Sequence, residues 1–465
     1  MSAPKSDQQL IQEMQKELNA LRVQNEALQK LVKDLEEKLK TNSRNSSKSP
    51  SQDPYRSRKG KKKPSGKKQG AQKGHKGQAR NTVPSEAVTE FRDIHPTECP
   101  QCGGNEFAPD SIHTEKRQVT ELPEIQPQII QFNIHTDLCA CCGHTVKADT
   151  PKEAESAFGP RLKGFIALLS GDLGLTKRKV VSLAGYLNIK VSVGSVCNIH
   201  HLAGKILEEP YEKIKRYTLQ QAAIHSDETS WYRKGKRQWL WIITGNKAAF
   251  FKIDPSRSAA TFQKILGKGL QDIPLTTDRY GAYNSYEGPR QHCWSHLDRD
   301  FKKISERDGI DGQIGSRLKE EADEVFSSWR AFREGLITSK ELQDYVRAFI
   351  IPCINALIQL GAIGQECHPK TQRTCKRLLS DFDCLWTYLY HEAVEPTNNL
   401  AERDIRPSVI QRKLSYGTQS DAGEAFVERI LSVSVTFKKQ AKNIFDYLTD
   451  CFIAHNRDAP IPSPL

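Results

Sequence analysis

Long apolar runs and a secretion signal are the features that this 465-residue sequence most clearly lacks. No stretch of about 18 apolar residues is evident, so we expect no membrane span. The N-terminal residues are polar and lack the apolar centre of a signal peptide. The 12 cysteines occur without such a signal, which favours a reducing compartment. These absences argue against membrane and secreted classes and predict a cytoplasmic protein.

Acidic residues are missing from one segment that is rich in positive charge. Between Arg56 and Arg80 there are eleven lysines and arginines and no acid, in a chain of net charge +13. Residues 46–90 contain little that can be buried, so we expect a disordered linker. Its charge suits contacts with the phosphates of double-stranded DNA, mostly without regard to sequence. The alternative is a solvated linker that binds nothing.

A heptad pattern of apolar residues lies within residues 1–45. Leucine at most d positions, with Ile11 and Val32 at a, favours a two-stranded parallel coiled coil, and Asn25 would fix its register. We therefore expect a homodimer or higher oligomer through this segment. The alternative is a single amphipathic helix lying on the rest of the protein. The seam consists of Ile11, Leu18, Asn25, Val32 and Leu39 at a, and of Met14, Leu21, Leu28 and Leu35 at d.

Two CxxC pairs, each followed by glycine, occur within residues 91–152. Such turns can aim two thiolates at one tetrahedral ion, so we expect a zinc-ribbon module with one structural Zn²⁺. Cys141 and His144 lie beside the second pair and leave the choice of ligands open. The alternative is a set of unliganded thiols. The expected zinc ligands are Cys99, Cys102, Cys139 and Cys142.

Residues 153–217 have a helical pattern with a break between Leu187 and Gly194. Ser192 or Ser195 can cap a second helix after this break. The pattern fits a helix-turn-helix that places its second helix in a major groove of DNA. It fits an ordinary packed helix pair equally well.

From residue 218 the periodicity changes to that of strands. Three strand-like runs separated by turns predict an antiparallel meander, and a helix and a short strand follow. Asp227 lies on the first predicted strand, and Asp278 lies at the end of the fourth. This order opens an RNase H-like α/β core, in which the first and fourth strands are neighbours. The two carboxylates would therefore face one another within residues 218–304.

A third carboxylate is expected on a later helix. Thr397 or Asn398 can cap that helix, and Glu402 falls in its first turns. Residues 305–392 have a helical pattern and form an insertion between the two parts of the core. Residues 393–450 then complete the core, and 451–465 form a C-terminal tail. Nearby basic residues suit DNA phosphates, and two glycines suggest close approach by a DNA backbone: Arg403, Arg406, Arg412, Lys413, Gly417 and Gly423.

Grouped carboxylates repel one another, and divalent cations relieve this repulsion. Oxygen ligands suit Mg²⁺ or Mn²⁺, so we expect two such ions held by Asp227, Asp278 and Glu402. Glu228 is expected to form a salt bridge rather than to bind metal. The segment around His292 and His296 is expected near the site. Trp294, His296 or Arg299 would contact DNA, and core packing of Trp294 is the alternative.

The residues also carry a family resemblance. The stretches HSDETSW, TTDRYGAY, RQHCWSHLDRDFKKI and PTNNLAERDIRPSVIQRKLSYGTQSDAG, together with the zipper, GAQKGHKGQ and the double CxxC, resemble transposases of the insertion-sequence-66 family. The resemblance implies a DDE triad of Asp227, Asp278 and Glu402. It also implies cleavage of transposon ends, strand transfer to target DNA and a location at the bacterial nucleoid. The alternatives are an RNase H-like nuclease or resolvase, and a non-catalytic DNA-binding regulator.

Overall fold

A computed structural model describes residues 7–42, 45, 82–108, 113–267 and 272–465 of the chain. The basic segment from Arg56 to Arg80 lies outside the described residues, so its predicted disorder and DNA contacts remain predictions. The chain divides into two units. One unit is Tyr55–Gln128, and the other combines Met1–Pro54 with Ile129–Leu465. Each unit is described by itself.

In the unit Tyr55–Gln128, the first CxxC forms a tight turn. The Gly103 amide donates to the Cys99 carbonyl at 2.8 Å, and the Cys99 amide donates to the Gly104 carbonyl at 2.8 Å. Gly103 has a φ of 72°, a left-handed conformation that glycine adopts without a Cβ clash. Hydrogen bonds from the Gln101 and Cys102 amides lower the pKa of the Cys99 thiol. This turn therefore favours a thiolate.

In the larger unit, the second CxxC has the same local geometry. Strands β1 (Thr136–Leu138) and β2 (Thr145–Lys147) form an antiparallel hairpin around it. The Gly143 amide donates to Cys139 at 2.8 Å, and the Cys139 amide donates to His144 at 2.8 Å. Hydrogen bonds from the Cys141 and Cys142 amides lower the pKa of the Cys139 thiol. Both cysteine turns are thus individually suited to binding metal.

The N-terminal helix α1 spans Asp7–Lys40. The apolar seam residues whose side chains are described face solvent, with Leu21 63% and Leu28 60% exposed. A single helix lying on the rest of the protein would bury this seam, so that alternative is not what the structure shows. The seam is left available to a partner helix, and dimerisation through it remains a prediction.

Four helices precede the sheet: α2 (Pro160–Gly171), α3 (Lys177–Tyr186), α4 (Val193–Ile206) and α5 (Glu208–Thr218). Ser192, one of the two residues predicted to cap this helix, caps α4 by accepting a hydrogen bond from the Ser195 amide. One side of α4 is buried, and His200 stacks on Phe426 with ring centroids 4.3 Å apart. These contacts are those of a packed helix pair, and Val193, Asn198 and Lys205 remain exposed on α4. A helix-turn-helix has the same kind of packing, so DNA binding by α4 remains a prediction.

The predicted meander is confirmed by strands β3 (Ile224–Arg233), β4 (Lys236–Thr244) and β5 (Ala249–Asp254), which pair antiparallel. Helix α6 (Ala259–Leu266) follows and is capped by Ser258. Strands β6 (Leu275–Thr277) and β7 (Arg290–His292) then complete a sheet of order β5-β4-β3-β6-β7, in which β3 and β6 are parallel neighbours.

Helix α7 (Trp294–Ser305) precedes the predicted insertion of residues 305–392 and packs with it. The insertion itself contains α8 (Ile310–Arg333), α9 (Ser339–Tyr345), α10 (Ile351–Ile363) and α11 (Pro369–Ser380). A π-helical turn, Val346–Ile350, joins α9 to α10. These helices enclose a second hydrophobic core, separate from that of the sheet. Trp294 is fully buried there and donates to the Leu385 carbonyl at 2.9 Å, so core packing is its role and DNA contact is excluded.

Contrary to the sequence-based expectation, one apolar run has the length and composition of a membrane span. It lies within the helical stretch Ser339–Ile363, which contains an 18-residue window with a mean hydropathy of 1.8. A core helix of a folded domain can pass the same test. Residues at a spacing of four are buried in the second core: Leu342, Val346, Ile350, Ile354, Ile358 and Ala362.

The chain then returns to the sheet through α12 (Asn399–Ser415), α13 (Asp421–Lys439) and α14 (Ile444–Asn456). Gly417 and Gly423 have local structural roles, and the predicted approach of DNA to them remains a prediction. Gly417 has a φ of 89°, and a Cβ there would lie 2.0 Å from the Tyr232 carbonyl oxygen, so the close neighbour is β3. Gly423 lies in the first turn of α13, where its amide donates to the capping residue Ser420.

Candidate active site

The pairing of β3 with β6 places the first two predicted carboxylates side by side. Ile224 pairs with Leu275 and His225 pairs with Thr276. Continuing this parallel register by two residues sets Asp227 opposite Asp278. Asp278 is the first residue after β6, where the chain leaves the sheet. The Tyr280 amide donates to its carboxylate at 2.9 Å, which fixes the turn. The two aspartates therefore lie side by side on interior strands, at the carboxyl end of β6.

Glu402 reaches the same region on the first turn of α12. The anchor of this helix is Asn398, which is 1% exposed. Its Nδ2 donates to the Ser226 carbonyl at 2.8 Å, and its Oδ1 lies 3.2 Å from Nδ1 of His225. Because both partners immediately precede Asp227 on β3, this anchor sets the position of Glu402 relative to that aspartate.

The Asn398 side chain does not cap α12, contrary to one of the sequence-based options. Asn398 occupies the N-cap position, but its side chain makes no capping hydrogen bond. The β3 contacts use that side chain instead. Its backbone amide donates to the Cys293 sulfur at 3.1 Å, which ties α12 to the start of α7. The sequence did not reveal this role, because an asparagine that caps a helix and one that binds a distant strand have the same local sequence pattern.

The three carboxyl groups share an environment that opposes ionisation. Burial raises the pKa of Asp227 well above its usual range, and the charges of Glu228 and Asp278 raise it further. Burial also raises the pKa of Asp278 and that of Glu402. Asp278 adds to the increase at Glu402, while Arg299 opposes it. Such mutually repelling carboxyl groups form a strong site for positive charge.

Glu228 forms a salt bridge, as the sequence predicts. Its side chain is 1% exposed, and it accepts a hydrogen bond from Nε of Arg257 at 2.7 Å. The Tyr283 hydroxyl donates to the other carboxylate oxygen. Burial and the charge of Asp278 raise the pKa of Glu228 to about 7, although Arg257 opposes this. Glu228 therefore supports β3 and leaves Asp227 to face the site.

His296 and Arg299 lie on α7 beside Glu402. Nδ1 of His296 is 3.6 Å from Oε1 of Glu402, and an Arg299 guanidinium nitrogen is 3.9 Å from the same oxygen. Burial and the charges of Arg299 and Arg279 lower the pKa of His296 to about 4, so its imidazole is neutral at pH 7. The expectation that this segment lies near the site is confirmed.

The predicted carboxylates fit divalent metal ions. Oxygen ligands of this kind suit Mg²⁺ or Mn²⁺, and the cation would relieve the repulsion that raises their pKa values. Oε1 of Glu402 is buried without a hydrogen-bond partner among the described residues, as expected for an atom reserved for a ligand. Asp227, Asp278 and Glu402 are therefore the residues that could hold such ions.

One predicted phosphate contact has a different role. Arg412 is half-buried, and it donates to the Thr229 hydroxyl at 2.9 Å and to the Ser230 hydroxyl at 2.6 Å. It therefore binds α12 to β3 and is not free to contact DNA. The other predicted basic residues on α12, Arg403, Arg406 and Lys413, are exposed.

Comparison with known proteins identifies the family of this chain. Residues 155–425 match the family described as "Transposase IS66 family". Because this match covers more than half of the chain, the protein belongs to the IS66 family of transposases. Residues 1–81 match a second family, described as "Family of unknown function (DUF6444)".

A relative of known sequence is "Uncharacterized protein y4qI" from Sinorhizobium fredii (strain NBRC 101917 / NGR234). It is 22% identical to this chain over 242 residues, which are 46% of this chain and 43% of that protein. The chain thus matches less than half the length of this relative, whose name assigns no activity.

Proposed function

We propose that this protein is a DNA transposase that cleaves transposon ends and joins them to target DNA with Asp227, Asp278 and Glu402. The observation that carries the proposal is the β3–β6 register, in which His225 pairs with Thr276. Continued by two residues, this register would set Asp227 opposite Asp278. Membership of the IS66 family supports the same activity.

We infer an RNase H-like catalytic core. The sheet order β5-β4-β3-β6-β7, with an antiparallel meander followed by a parallel neighbour of β3, supports this fold. The long helical insertion explains the separation in sequence between Asp278 and Glu402. Asn398 and Arg412 then return α12 to β3 at two points.

Two Mg²⁺ or Mn²⁺ ions, when bound, would activate water and later a 3′-hydroxyl for attack on a phosphodiester bond. Asp227, Asp278 and Glu402 would hold these ions, and no protein nucleophile is required. Arg299 lies beside Glu402 and can orient that carboxylate or a DNA phosphate. The ion pair of Glu228 with Arg257 keeps the strand beneath Asp227 in position.

A basic surface on the insertion supports a DNA path that leads to the site. Arg373, Lys376 and Arg377 are exposed on α11. Arg377 lines an open concavity together with Arg279, the residue next to Asp278. Arg279 is paired with Asp300, so the exposed positive charge lies on α11, where it suits the backbone of duplex DNA. We therefore infer that the insertion contacts DNA, in addition to the basic segment between Arg56 and Arg80.

Assembly and zinc binding complete the proposal. Transposition requires two DNA ends to be held together, and the exposed seam of α1 offers a means of pairing two chains. Each CxxC turn favours a thiolate by itself. We propose one structural Zn²⁺ bound by Cys99, Cys102, Cys139 and Cys142.

A nuclease or resolvase with the same core would share the first chemical step, so the test must score joining as well as cutting. Purified full-length protein should be incubated with its own flanking DNA ends, an unrelated duplex of equal length and Mg²⁺. We expect nicks at the ends followed by joined products. Nicking without joining would favour the nuclease, and binding without nicking would favour a non-catalytic regulator.

A further inference from the structure

Cys293, His296 and Glu402 form a second cluster of metal-binding side chains at the edge of the carboxylate site. One potential ligand atom from each residue lies within 4.8 Å of the other two. Cys293 precedes α7, and His296 follows three residues later, so both side chains lie on one side of its first turn. Glu402 approaches from α12 and completes the cluster.

Two atoms of this cluster are buried without a hydrogen-bond partner among the described residues. They are Nδ1 of His296 and Oε1 of Glu402. Their separation of 3.6 Å is too long for a hydrogen bond. It is suitable for two ligands of one ion, because ligand atoms about 2.0–2.3 Å from a tetrahedral ion lie roughly 3.3–3.7 Å apart. Arg299 lies 3.9 Å from the same Glu402 oxygen, within ion-pair distance but beyond that of a hydrogen bond. Buried polar atoms that lack hydrogen-bond partners at this spacing point to a ligand.

The third candidate ligand is a buried thiol whose pKa burial raises to about 11, so metal binding there would release its proton. The Cys293 sulfur is buried and accepts a hydrogen bond from the Asn398 amide at 3.1 Å. An amide donor stabilises a metal-bound thiolate. Sulfur and imidazole ligands select zinc and related transition ions over magnesium. Three protein ligands also leave a fourth position open, unlike the four cysteines of a structural zinc site.

We propose that Cys293, His296 and Glu402 bind a zinc-like transition-metal ion, separate from the magnesium ions of the carboxylate triad. Glu402 cannot serve both sites fully at once. A bound zinc-like ion therefore withdraws this carboxylate from Asp227 and Asp278. This consequence, inhibition of Mg²⁺-dependent cleavage, rests on the proposed function, whereas the binding itself does not.

The test is titration of the full-length protein with Co²⁺, a spectroscopic substitute for zinc, starting from protein purified with its native zinc. The wild type should bind one additional Co²⁺ per chain, with a thiolate-to-metal charge-transfer absorption. Cys293→Ser should remove that absorption, and His296→Gln should weaken binding at least tenfold. Cys451→Ser is the matched control, since Cys451 is another buried thiol and lies on α14. It should leave the absorption intact.

Near-ultraviolet circular dichroism of each variant verifies that the fold is retained. Millimolar Mg²⁺ should leave the Co²⁺ spectrum unchanged, because magnesium competes poorly for sulfur and imidazole. An identical spectrum in Cys293→Ser and wild type, or displacement of Co²⁺ by Mg²⁺, would overturn the proposal. Absence of DNA cleavage would refute the proposed function and leave this binding result unaffected.

Discussion

Replacing Asn398 by alanine tests how the final helix is positioned against the sheet. The substitution leaves two buried groups on β3 without partners, the Ser226 carbonyl and Nδ1 of His225. Each buried unsatisfied group costs about 1–3 kcal/mol, so the catalytic core should lose roughly 2–6 kcal/mol of stability. Because the anchor also positions Glu402, misplacement of about 1 Å should slow cleavage roughly 100-fold.

The neighbouring Asn399 supplies the matched control, because it is exposed at the first position of the same helix. Denaturant unfolding followed by tryptophan fluorescence reports on the core, where Trp231 and Trp241 are fully buried. Asn398→Ala should unfold at a clearly lower denaturant concentration than Asn399→Ala. Equal midpoints and equal cleavage rates for the two variants would refute the proposed anchor.

Three further predictions concern proton binding, zinc and DNA. In metal-free protein, Glu228→Gln should become more stable relative to wild type as the pH rises from 4.5 to about 7. Burial and Asp278 raise the pKa of Glu228 to about 7, so the folded wild type must bury an ionised Glu228 as the pH rises. A stability difference that stays constant across this window in denaturant titrations would contradict this. Metal analysis of protein purified without chelators should give at least one zinc per chain, and Cys102→Ser should lower the zinc content by one; a zinc-free wild type would exclude this site. Lys376→Glu on α11 should weaken DNA binding and reduce its dependence on salt. The control Lys340→Glu, at an exposed residue of α9, should change neither. Equal affinities of the two variants across salt concentrations would show that α11 does not contact DNA.

Elements with a strong local pattern could be predicted from the sequence. The alternation of the three meander strands, the serine before α4 and the helical periodicity of the insertion all depend on residues close in the chain. The neighbouring positions of Asp227 and Asp278 were inferred from the order of these elements. The structure supports that inference through the pairing of His225 with Thr276.

Features that depend on contacts distant in sequence could not be predicted. Arg412 resembles a phosphate contact, but its guanidinium binds the hydroxyls of Thr229 and Ser230. Gly417 resembles a flexible loop residue, but its missing side chain makes room for the Tyr232 carbonyl. In both cases the deciding partner lies on β3, about 180 residues earlier in the chain. Such long-range contacts cannot be predicted from the local sequence.

The apolar run Ser339–Ile363 shows a different limit. Part of it has the length and composition of a membrane span. Only its packing, with every fourth residue buried in the second hydrophobic core, identifies it as a core helix of the insertion. Trp294 shows the same difficulty on a smaller scale. A tryptophan between two histidines resembles a residue that contacts a ligand, yet it is fully buried beside Trp386, with ring centroids 5.2 Å apart.

The central claim is that three carboxylates act together as the active site. It is tested most directly by the variants Asp227→Asn, Asp278→Asn and Glu402→Gln, each compared with Glu392→Ala, an exposed acid outside the site. Each triad variant should reduce Mg²⁺-dependent cleavage by about a thousandfold or more while DNA binding persists. Each should also keep or increase the stability of metal-free protein, because one of several repelling charges is removed. Near-normal cleavage by any triad variant would contradict the assignment of that residue, and near-normal cleavage by all three would place the active site elsewhere.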